Sequence, residues 1–383
     1  MSVTTARGFR ASGVAAGIAS GDRLDLALVV NDGPNDAAAA VFTSNRVKAA
    51  PVLWSQQVLA SGRLTAVVLN SGGANACTGP DGFADTHATA ERVAAALDIG
   101  AVDVAVCSTG LIGTRLPMDA VLSGVDAAAG ELTRYGGENA ARAIMTTDTV
   151  PKLAARRTHD WTVGGMAKGA GMLAPGLATM LVVITTDVVA DPATLDEVLR
   201  AATRVTFDRI DSDGCMSTND SVILLASGAS LVAPPFDEFV AAVTEVCADL
   251  AGQLLADAEG STKDVTIEVV HAATEDDAVL AGRAVARSNL LKCALFGGDP
   301  NWGRVLAAVG TTSAAFEPDR IDVAINGVWV CRDGAAAADR SEVDLSDRAV
   351  RIVLDLHAGE STATVWTNDL SIAYVHENSA YSS

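Results

Sequence analysis

The part of the sequence best suited to covalent chemistry is a glycine-rich segment, AKGAGMLAPGLATMLVVITTD, which leads into an apolar strand. If a tight turn strains the peptide bond between Ala178 and Thr179, the Thr179 hydroxyl can attack the preceding carbonyl and form an ester. Cleavage of that ester releases Thr179 as a new amino terminus. The threonine then carries its own base, because a free α-amine has a pKa of about 7.7 to 8.0 and accepts a proton near neutral pH. On these residues alone, the alternative is that Thr179 simply begins a strand, as threonine often does.

Other active-site patterns have little support. The five histidines include no pair spaced for zinc, and the six cysteines show no CxxC spacing. Residues 169–174 match the dinucleotide fingerprint GxGxxA, but Pro175 and Gly176 follow and would break the helix that the fingerprint must open. Cys107 ends an apolar strand and has no histidine placed to activate it, so we interpret it as a core residue. We therefore predict no metal and no bound cofactor.

The composition is typical of a soluble protein of about two domains. The chain has 383 residues, of which 49% are hydrophobic, and a formal net charge of -20. This charge provides no basic surface for nucleic acid or an anionic membrane, so we expect small molecules as partners. Apolar runs such as 180–184 are far shorter than the roughly 20 residues of a transmembrane helix. The start, MSVTTARGFRASG, lacks the apolar core of a signal peptide, and the scattered cysteines suit a reducing compartment, so we expect a cytoplasmic protein.

Strands and helices alternate along the chain, which predicts an α/β fold, with an α+β C-terminal part. The apolar patterns predict strands at 24–30, 64–70, 102–107, 179–187 and 263–271. They predict helices at 83–97, 117–132, 236–258 and 274–291, and one more that Asp191 and Pro192 begin.

Glycine and proline mark the predicted loops and turns. Residues 161–177 contain five glycines and a proline, so we predict a shaped loop there. A first C-terminal hairpin is predicted at Asn326-Gly327, and a second joins 350–356 to 362–367.

Several motifs, in this order along nearly the whole chain, resemble those of the ornithine acetyltransferase family, also called glutamate N-acetyltransferases. They are GGANACTG, CSTGLIG, AIMTTD, KGAGMLAPGLATML, DAEGSTK, GGDPNWGRV and the terminal ENSAYSS. With this resemblance, the hypothesis of self-cleavage at Thr179 is strongly favoured over the alternative that Thr179 simply begins a strand.

The resemblance implies a precursor that cuts itself between Ala178 and Thr179 into an α chain, 1–178, and a β chain, 179–383. The mature enzyme would be an acyltransferase of arginine biosynthesis that moves acetyl from N2-acetyl-L-ornithine to L-glutamate by ping-pong chemistry through acetyl-Thr179. The implied fold is an αββα-like sandwich, with a catalytic domain at 1–275 and a smaller α+β domain at 276–383. Family members typically assemble as α2β2 heterotetramers. Some also take acetyl from acetyl-CoA, and no residue decides this for the present chain.

The resemblance also implies the site residues. Thr109 and Gly110 would form the oxyanion hole. Substrate contacts would come from Thr146, Lys168, Thr179, Glu259, Asn378 and Ser383. As roles for two of these, we expect Lys168 to pair with a carboxylate and Glu259 with an ammonium.

Two alternatives remain open at this stage. The first is a hydrolase of the same fold, an amidase or aminopeptidase with an N-terminal threonine, in which water replaces glutamate as the acceptor. The second is an unprocessed binding protein without catalysis.

Overall fold

The computed structural model describes residues 1–171, 173 and 180–380. Within these residues, a first sheet has the strand order β1-β2-β4-β5, in which β4 and β5 are parallel and the other pairs antiparallel. Its strands are β1 (Phe9–Val14), β2 (Leu26–Asn31), β4 (Ala66–Ser71) and β5 (Val104–Thr109). Nearly every residue of these strands is buried, so both faces of the sheet are covered.

A second sheet has the order β3-β9-β8-β7-β6, with β8 and β9 parallel and the other pairs antiparallel. Its strands are β3 (Ala37–Phe42), β6 (Lys152–Arg157), β7 (Thr162–Lys168), β8 (Leu181–Thr186) and β9 (Ser221–Ala226). The strands on either side of residues 169–180, β7 and β8, are therefore direct neighbours.

The two sheets pack face to face, with helices outside them. Alternate residues of β8 show this arrangement, because Leu181 and Val183 share a core with the first sheet, whereas Val182 and Ile184 share one with the outer helices. The helices are α1 (Ala50–Val58), α2 (Gly79–Leu97) and α3 (Met118–Gly130) on the first sheet, α4 (Gly137–Ala143), which contacts both, and α5 (Pro192–Arg204) and α6 (Phe236–Ala256) on the second. The predicted αββα-like sandwich is thus confirmed.

The C-terminal part forms a third sheet in the order β13-β12-β11-β14-β10-β15. Its strands are β10 (Asp264–Ala272), β11 (Asp322–Ile325), β12 (Val328–Arg332), β13 (Ala335–Ala336), β14 (Ala349–Asp355) and β15 (Ser361–Asn368), and its helices are α7 (Glu275–Ala286), α8 (Asn289–Phe296), α9 (Trp302–Val309) and α10 (Ile372–Ala380). Helix α7 packs on β10 and β15. The domain division at 275 stays a prediction, and the pairing of β10 with β14 and β15 favours a boundary before residue 264.

Local signals in the sequence placed several element ends correctly. The Asp191 side chain accepts a hydrogen bond from the backbone N–H of Thr194 at 2.8 Å and so caps α5. The hairpin at Asn326-Gly327 joins β11 to β12, and both turn residues have positive φ, at 46° and 84°.

The predicted loop at 161–177 is wrong for its first half, which forms β7. The glycines in this strand serve close packing instead. A Cβ at Gly164 would lie 2.3 Å from the carbonyl oxygen of Ser2, and one at Gly165 would lie 2.9 Å from Leu250. Glycine here allows a neighbouring segment to approach the backbone, and sequence alone does not separate this use from a loop.

Two C-terminal expectations are also wrong. The helix predicted at 274–291 ends at Ala286, because Ser288 caps a separate helix, α8, by accepting from the N–H of Leu291. The strands predicted as a second hairpin, β14 and β15, do not pair with each other, since β10 lies between them.

Within the described residues, α6 is the one helix that is long and apolar enough to cross a membrane. Its apolar face, which includes Phe239, Val246 and Leu250, packs against β6, β7 and α5. A core helix of a soluble protein meets the same criteria.

Candidate functional site

The ends of two strands from different sheets meet at the predicted site. Strand β5 ends at Thr109 and β7 ends at Lys168, and the Lys168 Nζ donates a hydrogen bond to the Thr109 Oγ1 at 3.3 Å. Both residues are almost fully buried, at 2% and 1% exposure. The structure therefore brings a predicted oxyanion-hole residue into contact with a predicted substrate-binding residue.

A tight loop fixes Gly110, the other predicted oxyanion residue. The carbonyl of Thr109 accepts hydrogen bonds from the N–H groups of Gly72 and Gly73, each at 3.0 Å. Gly110 has a φ of 133°, and a Cβ on it would lie 2.6 Å from the nitrogen of Gly73. Only glycine suits this position, because both the backbone angle and the neighbouring loop exclude a side chain.

Asn219 ties this loop to the second sheet, and the sequence analysis did not single it out. Its Nδ2 donates to the carbonyl of Ala74 at 2.6 Å and to that of Ser108 at 2.9 Å. The residue is 4% exposed. It therefore holds the end of β5 and the glycine loop at a fixed separation.

Asp220, the next residue, contacts the chain immediately after the predicted nucleophile. Its Oδ1 accepts from the N–H of Met180 at 3.0 Å, while its Oδ2 is buried and has no hydrogen-bond partner among the described residues. Burial raises the pKa of Asp220 well above its usual range, against the weaker opposing effects of the Met180 N–H, the Ser217 side chain and the Lys168 charge. An acidic residue before a buried strand is the signal that could have found it.

A buried ion cluster lies behind the site. One carboxylate oxygen of Asp148, Oδ1, accepts from the Lys152 Nζ at 2.6 Å and from the N–H of Gly169 at 2.7 Å, and the other accepts from the N–H of Thr146 at 3.0 Å. Burial alone would raise the pKa of Asp148, but the charges of Lys168 and Lys152, together with these hydrogen bonds, lower it. Asp148 thus fixes the backbone beside two predicted site residues, Thr146 and Lys168.

The same cluster joins the segments on either side of the predicted cut. The Lys152 Nζ also donates to Asp257 at 2.6 Å, and the Lys152 side chain is fully buried. Lys152 precedes the cut and Asp257 follows it, so the ion pair connects residues that would belong to separate chains.

Glu259 and Asn378 lie at another side of the site. The Asn378 Nδ2 donates to Glu259 Oε2 at 2.8 Å, and the Glu259 N–H donates to the carbonyl of Ala170 at 2.9 Å. A Cβ on Gly171 would lie 2.6 Å from the Glu259 carboxylate. The two predicted substrate contacts therefore border the segment that follows Lys168.

Three predicted site residues, Ala178, Thr179 and Ser383, lie outside the described residues. Ala178 and Thr179 lie in the chain between β7 and β8, which are neighbouring strands, and the strand residues that flank this segment are buried. Lys168 stands opposite Leu181 in the β7–β8 pair, and Met180 is 1% exposed. The end of β7 and the start of β8, which flank this segment in the chain, are therefore adjacent.

Two of the active-site patterns rejected above, the dinucleotide fingerprint and the Cys107 nucleophile, are also inconsistent with this geometry. Strands β7 and β8 are antiparallel, whereas a dinucleotide fingerprint joins parallel strands through a helix. Cys107 is buried, and burial raises the pKa of its thiol to about 12, as expected of a core residue. Within the described residues, no cluster of three or more histidine, cysteine or carboxylate side chains is arranged to hold a metal.

Comparison with known proteins identifies the family. The ArgJ family model matches residues 10–383. The chain belongs to the ArgJ family. It is 68% identical to the arginine biosynthesis bifunctional protein ArgJ of Streptomyces coelicolor over 383 residues, covering all of both chains. It is 62% identical to the protein of the same name from Mycobacterium tuberculosis, over all of this chain and 96% of that one.

Two solved structures are similar to this chain. One is arginine biosynthesis bifunctional protein ArgJ from Bacillus halodurans, with 34% identity, a TM-score of 0.50, and coverage of 52% of this chain and 98% of that chain. The other is ornithine acetyltransferase from M. tuberculosis complexed with ornithine, with 65% identity, a TM-score of 0.45, and coverage of 47% and 96%. The family and the full-length identity show that the chain is an ArgJ acetyltransferase of arginine biosynthesis, which confirms the expected role.

Proposed function

We propose that this ArgJ-family chain cuts itself between Ala178 and Thr179 and then transfers acetyl from N2-acetyl-L-ornithine to L-glutamate through acetyl-Thr179. The contact between Thr109 and Lys168 is the observation that carries the proposal. It brings the Thr109 hydroxyl and a tight glycine loop, at the end of β5, to the Lys168 ammonium, at the end of β7, and the segment with Thr179 follows Lys168 in the chain.

Thr179 attacks the acetamide carbonyl of the donor, and its own α-amine takes up the hydroxyl proton. Collapse of the tetrahedral intermediate breaks the C–N bond, and the protonated amine returns a proton to ornithine as it leaves. The neutral amine of glutamate then attacks the carbonyl of acetyl-Thr179, and the ester C–O bond breaks. The Thr179 α-amine takes the proton from the attacking amine and passes it to the threonine oxygen, which releases N-acetylglutamate and regenerates the enzyme. The absence of a histidine partner in the sequence pattern fits this chemistry, because the nucleophile supplies its own base.

The Thr109 hydroxyl and the backbone at Gly110 stabilise the oxyanion of each tetrahedral intermediate. The locked loop supports this role, since a preorganised donor costs no rearrangement when charge develops.

We propose that Glu259 and Asn378 bind the polar end of the substrate, with Glu259 accepting from an ammonium group. Their direct contact, next to Ala170, supports a shared subsite. Thr146 and Ser383 would complete the pocket. The pairing of Lys168 with a substrate carboxylate stays a prediction, and its described contact with Thr109 favours an additional role.

The two pieces remain one body after the cut, because β7 of the first pairs along its length with β8 of the second. The Bacillus halodurans chain supports separate pieces. Nearly all of it aligns, yet it covers 52% of this chain, close to the 54% that residues 179–383 represent (205 of 383). We further propose an α2β2 assembly, a cytoplasmic location and no metal or bound cofactor.

A denaturing gel and an acetyl-transfer assay test the proposal. The cut predicts fragments of about 18 and 21 kDa, obtained by dividing 39.0 kDa in proportion to 178 and 205 residues. N-acetylornithine should yield N-acetylglutamate when glutamate is present. Acetate released at the same rate with and without glutamate would show a hydrolase instead, and a single 39.0 kDa band from active protein would contradict self-cleavage.

The Thr179→Ala variant should lose both reactions, because one hydroxyl serves both, with acetyl transfer falling by about 10³-fold or more. Thr179→Ser retains a hydroxyl and is the matched control. A Thr179→Ala chain that still yields both fragments would contradict the assignment of the nucleophile. Incubation of glutamate with acetyl-CoA as sole donor decides whether the second activity exists.

A further inference from the structure

The contact between Lys168 and Thr109 has a direction that depends on charge. A protonated lysine only donates hydrogen bonds, so the Thr109 Oγ1 accepts in this 3.3 Å contact and keeps its own hydrogen for another acceptor. A neutral lysine can accept, and the Thr109 hydroxyl could then turn its hydrogen back towards the amine. The charge state of Lys168 therefore decides whether Thr109 presents a donor to the reacting carbonyl.

Burial works against that charge. It lowers the pKa of Lys168, and the nearby ammonium of Lys152 lowers it further. The carboxyl groups that face Lys168 oppose this effect, and Asp148 does so most strongly, ahead of Asp220 and Glu259. Burial raises the pKa of Asp220 itself well above its usual range.

Asp148 is well held for this purpose. Its side chain is fully buried, and both carboxylate oxygens accept hydrogen bonds, from the Lys152 Nζ and the N–H groups of Gly169 and Thr146. The Gly169 N–H belongs to the residue next to Lys168, so the carboxylate cannot move away without disturbing the end of β7.

We propose that Asp148 is a positioning residue for acetyl transfer, which keeps Lys168 protonated so that the Thr109 hydroxyl hydrogen points at the developing oxyanion. The proposal rests on the proposed function of Thr109. No proton is transferred among these three residues. Asp148 acts through Lys168, and Lys168 acts through Thr109.

The test is the pH dependence of acetyl-enzyme formation, measured as ornithine release in a single turnover without glutamate. Omitting glutamate removes the titration of its amine from the profile. Over about pH 6 to 10, the wild-type rate should fall on the alkaline side as Lys168 loses its proton. In Asp148→Asn, the pKa of Lys168 falls further, so this loss should occur at a pH lower by about one unit or more. Well above the shifted value, the rate of the variant should be about 10²-fold below its own maximum, a loss comparable to removal of one oxyanion donor.

Asp257→Asn is the matched control, because it also removes a carboxylate from Lys152 but is not among the groups that act on Lys168. Its alkaline limb should coincide with that of the wild type even if its thermal stability falls. An equal shift in the two variants, or no shift in Asp148→Asn, would overturn the proposal.

Two further variants separate positioning from general loss of structure. In a Thr109→Ala background, adding Asp148→Asn should change neither the rate nor the alkaline limb, whereas in Thr109→Ser the shift should return. Additive effects in the Thr109→Ala background would overturn the proposal.

If Asp148→Asn does not fold, Lys168→Arg provides the test, since a guanidinium stays charged and should abolish the alkaline limb. A limb that persists in Lys168→Arg would count against the proposal. A wild-type enzyme that releases no ornithine at all would instead refute the proposed function.

Discussion

Two groups of acidic and basic side chains both contain buried carboxylates and differ in the exposure of their basic side chains to water. The buried cluster consists of Asp148, Lys152 and Asp257, and its lysine and first aspartate are 0% exposed. The histidine cluster, on the C-terminal sheet, consists of His271, His357, Asp322 and Asp355. The Nδ1 of His271 lies 2.8 Å from Asp355, and the Nε2 of His357 lies 3.0 Å from Asp322, with the two histidine side chains 51% and 34% exposed.

The difference shows what burial does to an ion pair. In the buried cluster no solvent can replace a lost partner, so removing one charge leaves the others buried and uncompensated. In the histidine cluster water reaches both imidazole rings and compensates for a broken contact, so the loss of one contact should have little effect on the fold. The buried cluster adjoins the proposed catalytic residues, whereas the histidine cluster belongs to the third sheet.

Of the changes that test this contrast, loss of Lys152 should reduce the stability of the protein most. Lys152→Met leaves two buried carboxylates without their shared cation, and we expect a loss of about 3–5 kcal/mol in the free energy of unfolding, measured by urea denaturation followed by circular dichroism. Arg142→Met is the control, because its ion pair with Glu138 is more than half exposed and should be worth less than about 1 kcal/mol. Equal losses in the two variants would remove the distinction between buried and exposed pairs.

Two glycines with positive φ, Gly110 at the site and Gly327 in an open turn, provide a similar contrast in the backbone. Gly110→Ala places a Cβ 2.6 Å from the nitrogen of Gly73 at the site, so we expect acetyl transfer to fall by about 10²-fold. Gly327→Ala also has a positive φ, but its Cβ would meet nothing within 4 Å. This control should lose about 1–2 kcal/mol of stability and keep its activity. Steady-state kinetics with thermal unfolding of both variants provides the measurement, and full activity in Gly110→Ala would show that the loop is not part of the site.

The smallest effect should come from the histidine cluster. The hydrogen bond to Asp355 raises the pKa of His271, so its stabilising contribution is complete below the ordinary histidine pKa of about 6.5 and is lost as the pH rises through the folded value. His271→Gln should therefore lower the melting temperature slightly in acid and not at alkaline pH. His159→Gln, at a 97% exposed side chain, should show no such pH dependence. A larger loss at alkaline pH than in acid would contradict this sign.

Much of the sandwich could be predicted from the sequence because its elements rely on local signals. Apolar runs and caps located β5, β8 and α5, since periodicity and N-capping depend on neighbouring residues only. Strand β7 was missed because its glycines meet partners distant in sequence. The order of β14, β10 and β15 was missed for a related reason, since strand neighbours are set by the whole sheet.

The sequence by itself determined the family motifs, and with them Thr109, Gly110, Thr146, Lys168, Glu259 and Asn378 as site residues to be tested. Only the tertiary structure decided that Lys168 touches Thr109, because the two residues are 59 positions apart and belong to strands of different sheets. It also decided that Asp148 lies buried behind them. Charge and hydrogen-bond direction depend on burial, and burial is a property of the packed sheets rather than of any motif.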